Sequence, residues 1–398
     1  MRFPGDVCGC VWRRAALRIF GLTSVFCICF MVLASSGCKR PTISQPLELA
    51  EIPTNETLNQ RLDEVLEAIY KDRHLNLRDH AAWQILHGAL TYKRDFMVER
   101  NGKFVSAVDY ILNGGQMKGW TVEQGVELSP GSQRFGLRAL LEEGTKAGQG
   151  HADQWLAVLA QCDLSPEQKI LVAGDEYTME SFLRQVQYDV PRNTDREYSW
   201  TLIGLTTYLP TTETWTALDG EEWNIERLVG IEAEQALASS ACGGTHRLIG
   251  MATALNHHVD QQFEVTGAWK QASEVIEQAK LDAKKYQNVD GSFSTNYFQR
   301  PGRSPDLAQN LGTTGHILEF LAIALQDEQL EEAWVKRAVA NMCELFEKTR
   351  DVPLECGALY HAAHGLALYR ERVFGPRHYR ETESDAQPAN TPAAANDS

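Results

Sequence analysis

Apolar positions in this chain gather into six helix-length runs, each opening on His, Tyr, Trp or Cys and continuing into Leu and Ala. The clearest are His80-Ala-Ala-Trp-Gln-Ile-Leu-His-Gly-Ala-Leu90, Cys242-Gly-Gly-Thr-His-Arg-Leu-Ile-Gly-Met-Ala-Thr-Ala-Leu255 and Gly315-His-Ile-Leu-Glu-Phe-Leu-Ala-Ile-Ala-Leu325. Residues 150–160, 198–205 and 355–368 complete the set. A helix with so little polar surface must be covered on most sides, and recurrence of one unit points to a repeat architecture. Between the runs, residues 58–70, 133–143, 179–188, 221–238, 264–286 and 329–349 mix apolar and charged positions at helical spacing. That is the pattern of helices with one wet face. Pairing the two kinds predicts an all-α fold, a single α/α toroid of six outer/inner helix pairs over residues 56–380. Closure is preferred to an open solenoid because the inner runs are more uniformly apolar than a concave solenoid face. Two of the intervals between runs are long. They contain residues 91–130 and 287–312, which lack a helical period and read as insertions on the loop face.

The ends of the chain lie outside this pattern. Arg13, Arg14 and Arg18 precede an apolar stretch ending in Ala34-Ser-Ser-Gly-Cys38. Small residues before a Cys predict a lipoprotein-type signal over residues 1–37, with Cys38 lipidated as the mature N-terminus. An uncleaved N-terminal anchor is the other reading. Both place the domain outside the cytoplasmic membrane, in a bacterial cell envelope, periplasm-facing or extracellular, with the membrane as its first partner. Residues 38–55 read as a flexible tether and residues 381–398 as a disordered tail.

The formal net charge is −15, and the signal segment is itself basic, so the domain is still more acidic. Such a surface repels nucleic acid and anionic polysaccharide. After the signal and Cys38, four of the nine cysteines remain: Cys162, Cys242, Cys343 and Cys356. No Cys-x-x-C is present, so neither a thioredoxin-like site nor a zinc ribbon is indicated.

Polar residues at the inner-run openings are the candidates for chemistry. His151 and Asp153 open the second run as a potential acid/base pair. His246 and His316 are further acid/base candidates, and Tyr198, Trp200, Glu319, Glu355 and His361 could line a ligand cavity. Capping by Asp153, a helix-start Thr cap beside an exposed Glu319, and plain core packing of the aromatics explain most of the same residues without chemistry. Cys242 and His246 stand one turn apart. With Cys356 and His361 they are the candidate donors for zinc; a Cys242–Cys356 disulfide and simple buried thiols are the alternatives. His257 and His258 read as solvated. In a toroid of hairpins all inner helices run the same way. His151, Tyr198, Cys242, His246, His316, Cys356 and His361 are therefore expected at one end of the ring.

Gln287-Asn-Val-Asp-Gly-Ser-Phe293 has the form Gln-x-x-x-Gly-x-aromatic and resembles the QW motif of the terpenoid cyclases. Cys242-Gly-Gly-Thr-His246 is similar to the Gly-Gly-x-His helix entries of protein prenyltransferase β subunits. The resemblance implies the α/α-toroid superfamily, with the Gln and aromatic stacked between outer-helix ends. In the prenyltransferases zinc is bound by an Asp, a Cys and a His, but their Asp–Cys pair has no match here. Neither an Asp-x-Asp-Asp nor an Asp-Asp-x-x-Asp motif is present, which disfavours a terpene cyclase or diphosphate-dependent prenyltransferase. The nearest acidic cluster, Asp219-Gly-Glu-Glu222, reads as a helix-start charge cap. Fold alone does not give function. Two readings stay open: an enzyme of carbohydrate type, lyase or hydrolase, acting on a small molecule or glycan, and a non-catalytic binding or scaffolding toroid.

Overall fold

A computed structural model describes residues 48–193 and 197–380. The signal segment, Cys38, most of the tether and the tail lie outside these residues. Helix α1 (Asn55–Asp72) is capped by Thr54 Oγ1 and buries Leu58, Leu62, Val65, Leu66 and Ile69, a single stripe at helical spacing. Next come α2 (Ala82–Tyr92), short α3 (Ala107–Leu112), α4 (Gln154–Ala160) and α5 (Met179–Asp189). The chain continues through α6 (Ser199–Tyr208), α7 (Ile225–Ala233), α8 (Thr245–Asp260) and α9 (Gly267–Lys285). It finishes with α10 (Leu307–Ala324), one-turn α11 (Asp327–Leu330), α12 (Ala333–Lys348) and α13 (Cys356–Phe374).

The apolar runs pack on one another. α2 contacts α4, α4 contacts α6, α6 contacts α8, α8 contacts α10 and α10 contacts α13. α13 then returns to α2, so the order of neighbours closes. Amphipathic helices cover this set: α1 and α12 lie against α13, α7 and α9 against α8, and α12 against α10. The tightest crossing is α10 on α13. A Cβ at Gly315 would fall 2.7 Å from Ala362 Cα, and one at Gly365 would fall 2.8 Å from Glu319 N. Only glycine admits such backbone approach.

The protein is mostly helical but not all-α. Among the described residues, nine short strands form four small sheets. β1 (Leu75–Asn76), β2 (Met97–Arg100) and β3 (Lys103–Ser106) make the first, β4 (Trp120–Glu127) and β5 (Phe135–Leu141) the second. β6 (Lys169–Val172) pairs with β7 (Asp175–Thr178), and β8 (Thr214–Thr216) with β9 (Glu222–Asn224). Asn101-Gly102 (φ 52° and 80°) closes β2–β3, and Ala173-Gly174 (φ 53° and 98°) closes β6–β7. Left-handed pairs of this kind match the twist of tight hairpins.

Two expected outer helices change. Residues 133–143 form strand β5, not a helix: Leu137 and Ala139 are buried on alternate positions and pair with Gln124 and Val122 of β4. Gly136 lies so close to the Gln185 side chain that a Cβ would come within 2.3 Å of its Oε1. The helix expected from residue 221 begins at Ile225, capped by Asn224. Asp219 instead accepts from Trp223 Nε1 and the Glu221 amide in the β8–β9 turn. His258 is not solvated: it is buried, bonded to Thr211 and the Glu264 carbonyl, and stacked on Trp269 at 3.9 Å.

Candidate active site

Four imidazoles from four of the packed inner helices meet: His87 of α2, His246 of α8, His316 of α10 and His361 of α13. Ring centroids are 4.3 Å apart for His316–His361, 4.8 Å for His87–His361, 5.3 Å for His246–His361 and 5.6 Å for His246–His316. Each ring has its Nδ1 engaged. His87 pairs with the Trp83 carbonyl (2.5 Å), His316 with the Gly312 carbonyl (2.7 Å), His246 with Glu197 Oε1 (3.0 Å) and His361 with Glu319 Oε2 (2.7 Å). In a neutral ring these bonds favour the tautomer in which Nδ1 carries the hydrogen and Nε2 keeps its lone pair.

Backbone geometry brings a thiol to this cluster. Cys242, Gly243 and Gly244 have φ of 48°, 64° and 84°, a left-handed turn immediately before α8. A non-glycine residue in this region is strained and persists only where its surroundings hold it. Here Arg247 bonds Ser240 Oγ (2.8 Å), while Glu232 of α7 accepts from Arg247 (2.7 Å) and the Tyr198 amide (2.7 Å). The fully buried Glu232 thus ties α6 and α8 to α7. On the other side, the Tyr297 ring covers Gly243 so closely that a Cβ would fall 2.1 Å from it. The resulting placement leaves Cys242 Sγ and one ring nitrogen each of His246 and His316 all within 4.8 Å of one another.

Electrostatics follow from this geometry. Burial raises the Cys242 thiol, but the two facing imidazoles outweigh it and pull the pKa down to about 6. Burial lowers His246, but Cys242 and Glu197 on either side push it up to about 10. The attraction acts through space, since His246 Nε2 is buried and has no hydrogen-bond partner, the sulfur included. His361 is the opposite case: burial holds it well below its ordinary value, and it is neutral. Burial raises Glu319, but bonds from His361 and His364 (2.6 Å) keep it ionised, well below the carboxylate range.

The other sequence candidates lie elsewhere. His151 bonds Asn193 (2.6 Å), and Asp153 accepts from Thr201. Asp153 lines a cavity of about 290 Å³ with Arg138, Gln185, Asp189 and Arg192. Burial raises the Asp153 carboxyl. Tyr198 turns towards the outer elements, its hydroxyl on the Val190 carbonyl and its ring 6.3 Å from Trp223. Trp200 does reach the cluster, 5.5 Å from His246. Glu355 is exposed and caps α13 through the Gly357 and Ala358 amides. Cys356 accepts from Gln84 (3.3 Å) and is outside the Cys242–His246–His316 donor set, as is His361. All four described cysteines are free thiols.

Sequence reasoning missed His87 and Glu197, and left His364, which shares a helix face with His361, out of the candidate site. His87 and His364 follow the openings of their apolar runs by about two turns, a signal that was available. Glu197 sits just before a run and carries no motif. No family model matches the chain, and no curated protein matches it.

Proposed function

We propose that this chain is a lipid-anchored enzyme of the bacterial cell envelope, an α/α toroid that hydrolyses a neutral or weakly anionic ligand at the imidazole cluster. The observation that carries this reading is the meeting of four imidazoles from four helices, every Nδ1 already bound, beside an ionised thiol. Structural histidines scattered through a core would not converge in this way. The closed order of inner helices with helices packed outside supports the toroid; the hairpins are additions to it. The lipobox-like Ala34-Ser-Ser-Gly-Cys38 supports the anchor.

The groups divide the work. His361 is neutral and oriented by Glu319, so its Nε2 can take a proton from water as the water oxygen bonds to the substrate carbon. The same nitrogen then returns the proton to the leaving group. His246, cationic between Cys242 and Glu197, supplies positive charge for a developing oxyanion. A two-carboxylate mechanism is not supported, because Glu319 is clamped by two imidazoles and Glu355 caps a helix. The cavity between Trp200, His246 and His361 measures about 10 Å³, room for one water at most. The acidic chain disfavours polyanionic substrates.

The test is a panel of chromogenic esters, amides and glycosides offered to the detergent-solubilised full chain. Turnover of at least one class is expected, reduced about 10²–10⁴-fold in His361→Gln without loss of thermal stability. Binding without turnover across the panel would instead identify a binding toroid.

A further inference from the structure

We infer that Cys242, His246 and His316 form a three-ligand site for a divalent transition metal, zinc foremost, whose fourth position is left for water or substrate. The inference rests on reading this cluster as the reaction centre, but it makes a claim about binding that activity does not decide. It starts from an unexplained atom: His246 Nε2 is a buried polar group without a partner. Such an atom calls for an explanation, and of the eight found among the described residues it is the one that belongs to a cluster of metal-ligating side chains.

The donors converge where that occupant would sit. One atom from each residue lies within 4.8 Å of the other two. Tetrahedral coordination at about 2.3 Å to sulfur and about 2.0–2.1 Å to nitrogen puts donors roughly 3.4–3.6 Å apart. Side-chain adjustment of about an ångström closes the difference. Both imidazoles are also held as metal ligands usually are, with Nδ1–H donated away so that Nε2 faces inward. Glu197 does this for His246 and the Gly312 carbonyl for His316. Each support comes from a different segment from the ligand it orients or lies a full turn before it.

The donor chemistry selects the ion. One thiolate and two imidazoles suit zinc and its neighbours, whereas magnesium and calcium take oxygen. Three protein ligands with an open position is the pattern of catalytic rather than structural zinc. Such an ion would take the place of the proton on His246 Nε2, supply the positive charge that the imidazolium supplies in its absence, and lower the pKa of a water bound to it. His361, held by Glu319, and Cys356, held by Gln84, stay outside the donor set. The pairing expected from sequence, Cys242 and His246 with Cys356 and His361, is thus replaced by one in which α10 supplies the third ligand.

The full chain, purified in detergent, is analysed for metal and then reloaded with cobalt(II) after chelation. About one equivalent of zinc is expected, and cobalt should give intense four-coordinate visible bands with a thiolate charge-transfer band. Cys242→Ser should abolish the charge-transfer band, and Glu197→Gln should weaken metal affinity about 10–100-fold. Cys356→Ser should change neither. Folding of each variant is checked by circular dichroism. Substoichiometric metal in folded protein, or a thiolate band surviving in Cys242→Ser, overturns the inference. Turnover by folded protein that takes up no metal on reloading would overturn the metal site and leave the hydrolase. Stoichiometric metal with no turnover would do the reverse.

Discussion

Burial by itself makes a thiol harder to ionise, and Cys162 and Cys343 behave accordingly, each pushed up to about 12. Cys242 is also largely enclosed, yet two facing imidazoles bring it to about 6. The difference is placement: Cys242 stands on a left-handed turn aimed at the cluster, while Cys162 donates to the Val158 and Ala89 carbonyls. Reactivity should follow the thiolate. In chelator-treated protein near neutral pH, iodoacetamide should alkylate Cys242 well before Cys162 or Cys343, read by peptide mass mapping. Uniform labelling, or Cys343 first, would remove the case for an activated thiol. Cys242 and His246 were paired in sequence on the premise that one helical turn carries both. The residues were the right ones, but Cys242 stands on a left-handed turn before α8 begins at Thr245, a geometry that spacing does not give. His316 was legible as a residue but not as their partner. Its helix starts at Leu307 instead of Gly315, so it projects from the middle of α10 and not from the first turn.

At the level of elements, outer helices were readable from their stripes, whereas residues 133–143 were not. Leu, Arg and Glu mix there at a spacing that suits either a helix or a strand. What decides is the partner strand β4 just upstream, and Gly136 packed against Gln185, which is remote in sequence. The hairpin at Asn101-Gly102 did carry its own signal, a turn dipeptide between β-prone residues. Two contacts hold the inner helices in the geometry the site needs. Glu232 is fully buried and shared by Arg247 and the start of α6. Removing one partner of a buried ion pair leaves the other uncompensated, so Glu232→Ala should cost about 3–5 kcal/mol in denaturant unfolding. Gly365 lets α13 approach Glu319. Gly365→Ala should cost about 1–3 kcal/mol by forcing the backbones apart. A neutral result for either would show that α10, α13 or the α6–α8 pair is held by something else.

For the whole molecule, the closed order of inner helices concentrates imidazoles in one buried place, and that should appear in stability against pH. Cys242 and His246 add no slope between about 6.5 and 9. The folded state moves one proton from thiol to imidazole, relative to ordinary values of 9.0 and 6.5, without net uptake. His87 is different: burial is the largest effect on it and lowers its pKa from 6.5. A lowered value means that the unfolded chain takes up a proton first as pH falls below about 6.5, and the folded state does not. Stability contributed by neutral His87 is therefore present above pH 6.5 and lost on acidification towards its folded value. Over 1.5 pH units the loss is at most about 2 kcal/mol. Buried Asp153 and Glu232, both raised by burial, act in the opposite direction, so the wild-type curve alone does not isolate the imidazole. The difference between wild type and His87→Gln does, because those carboxyls are common to both. In metal-free protein, the stability advantage of wild type over His87→Gln should shrink by up to about 2 kcal/mol between pH 6.5 and 5. It should stay constant from pH 7 to 8. An advantage that grows on acidification would mean that His87 is protonated in the folded state, and that burial does not keep it neutral beside His361.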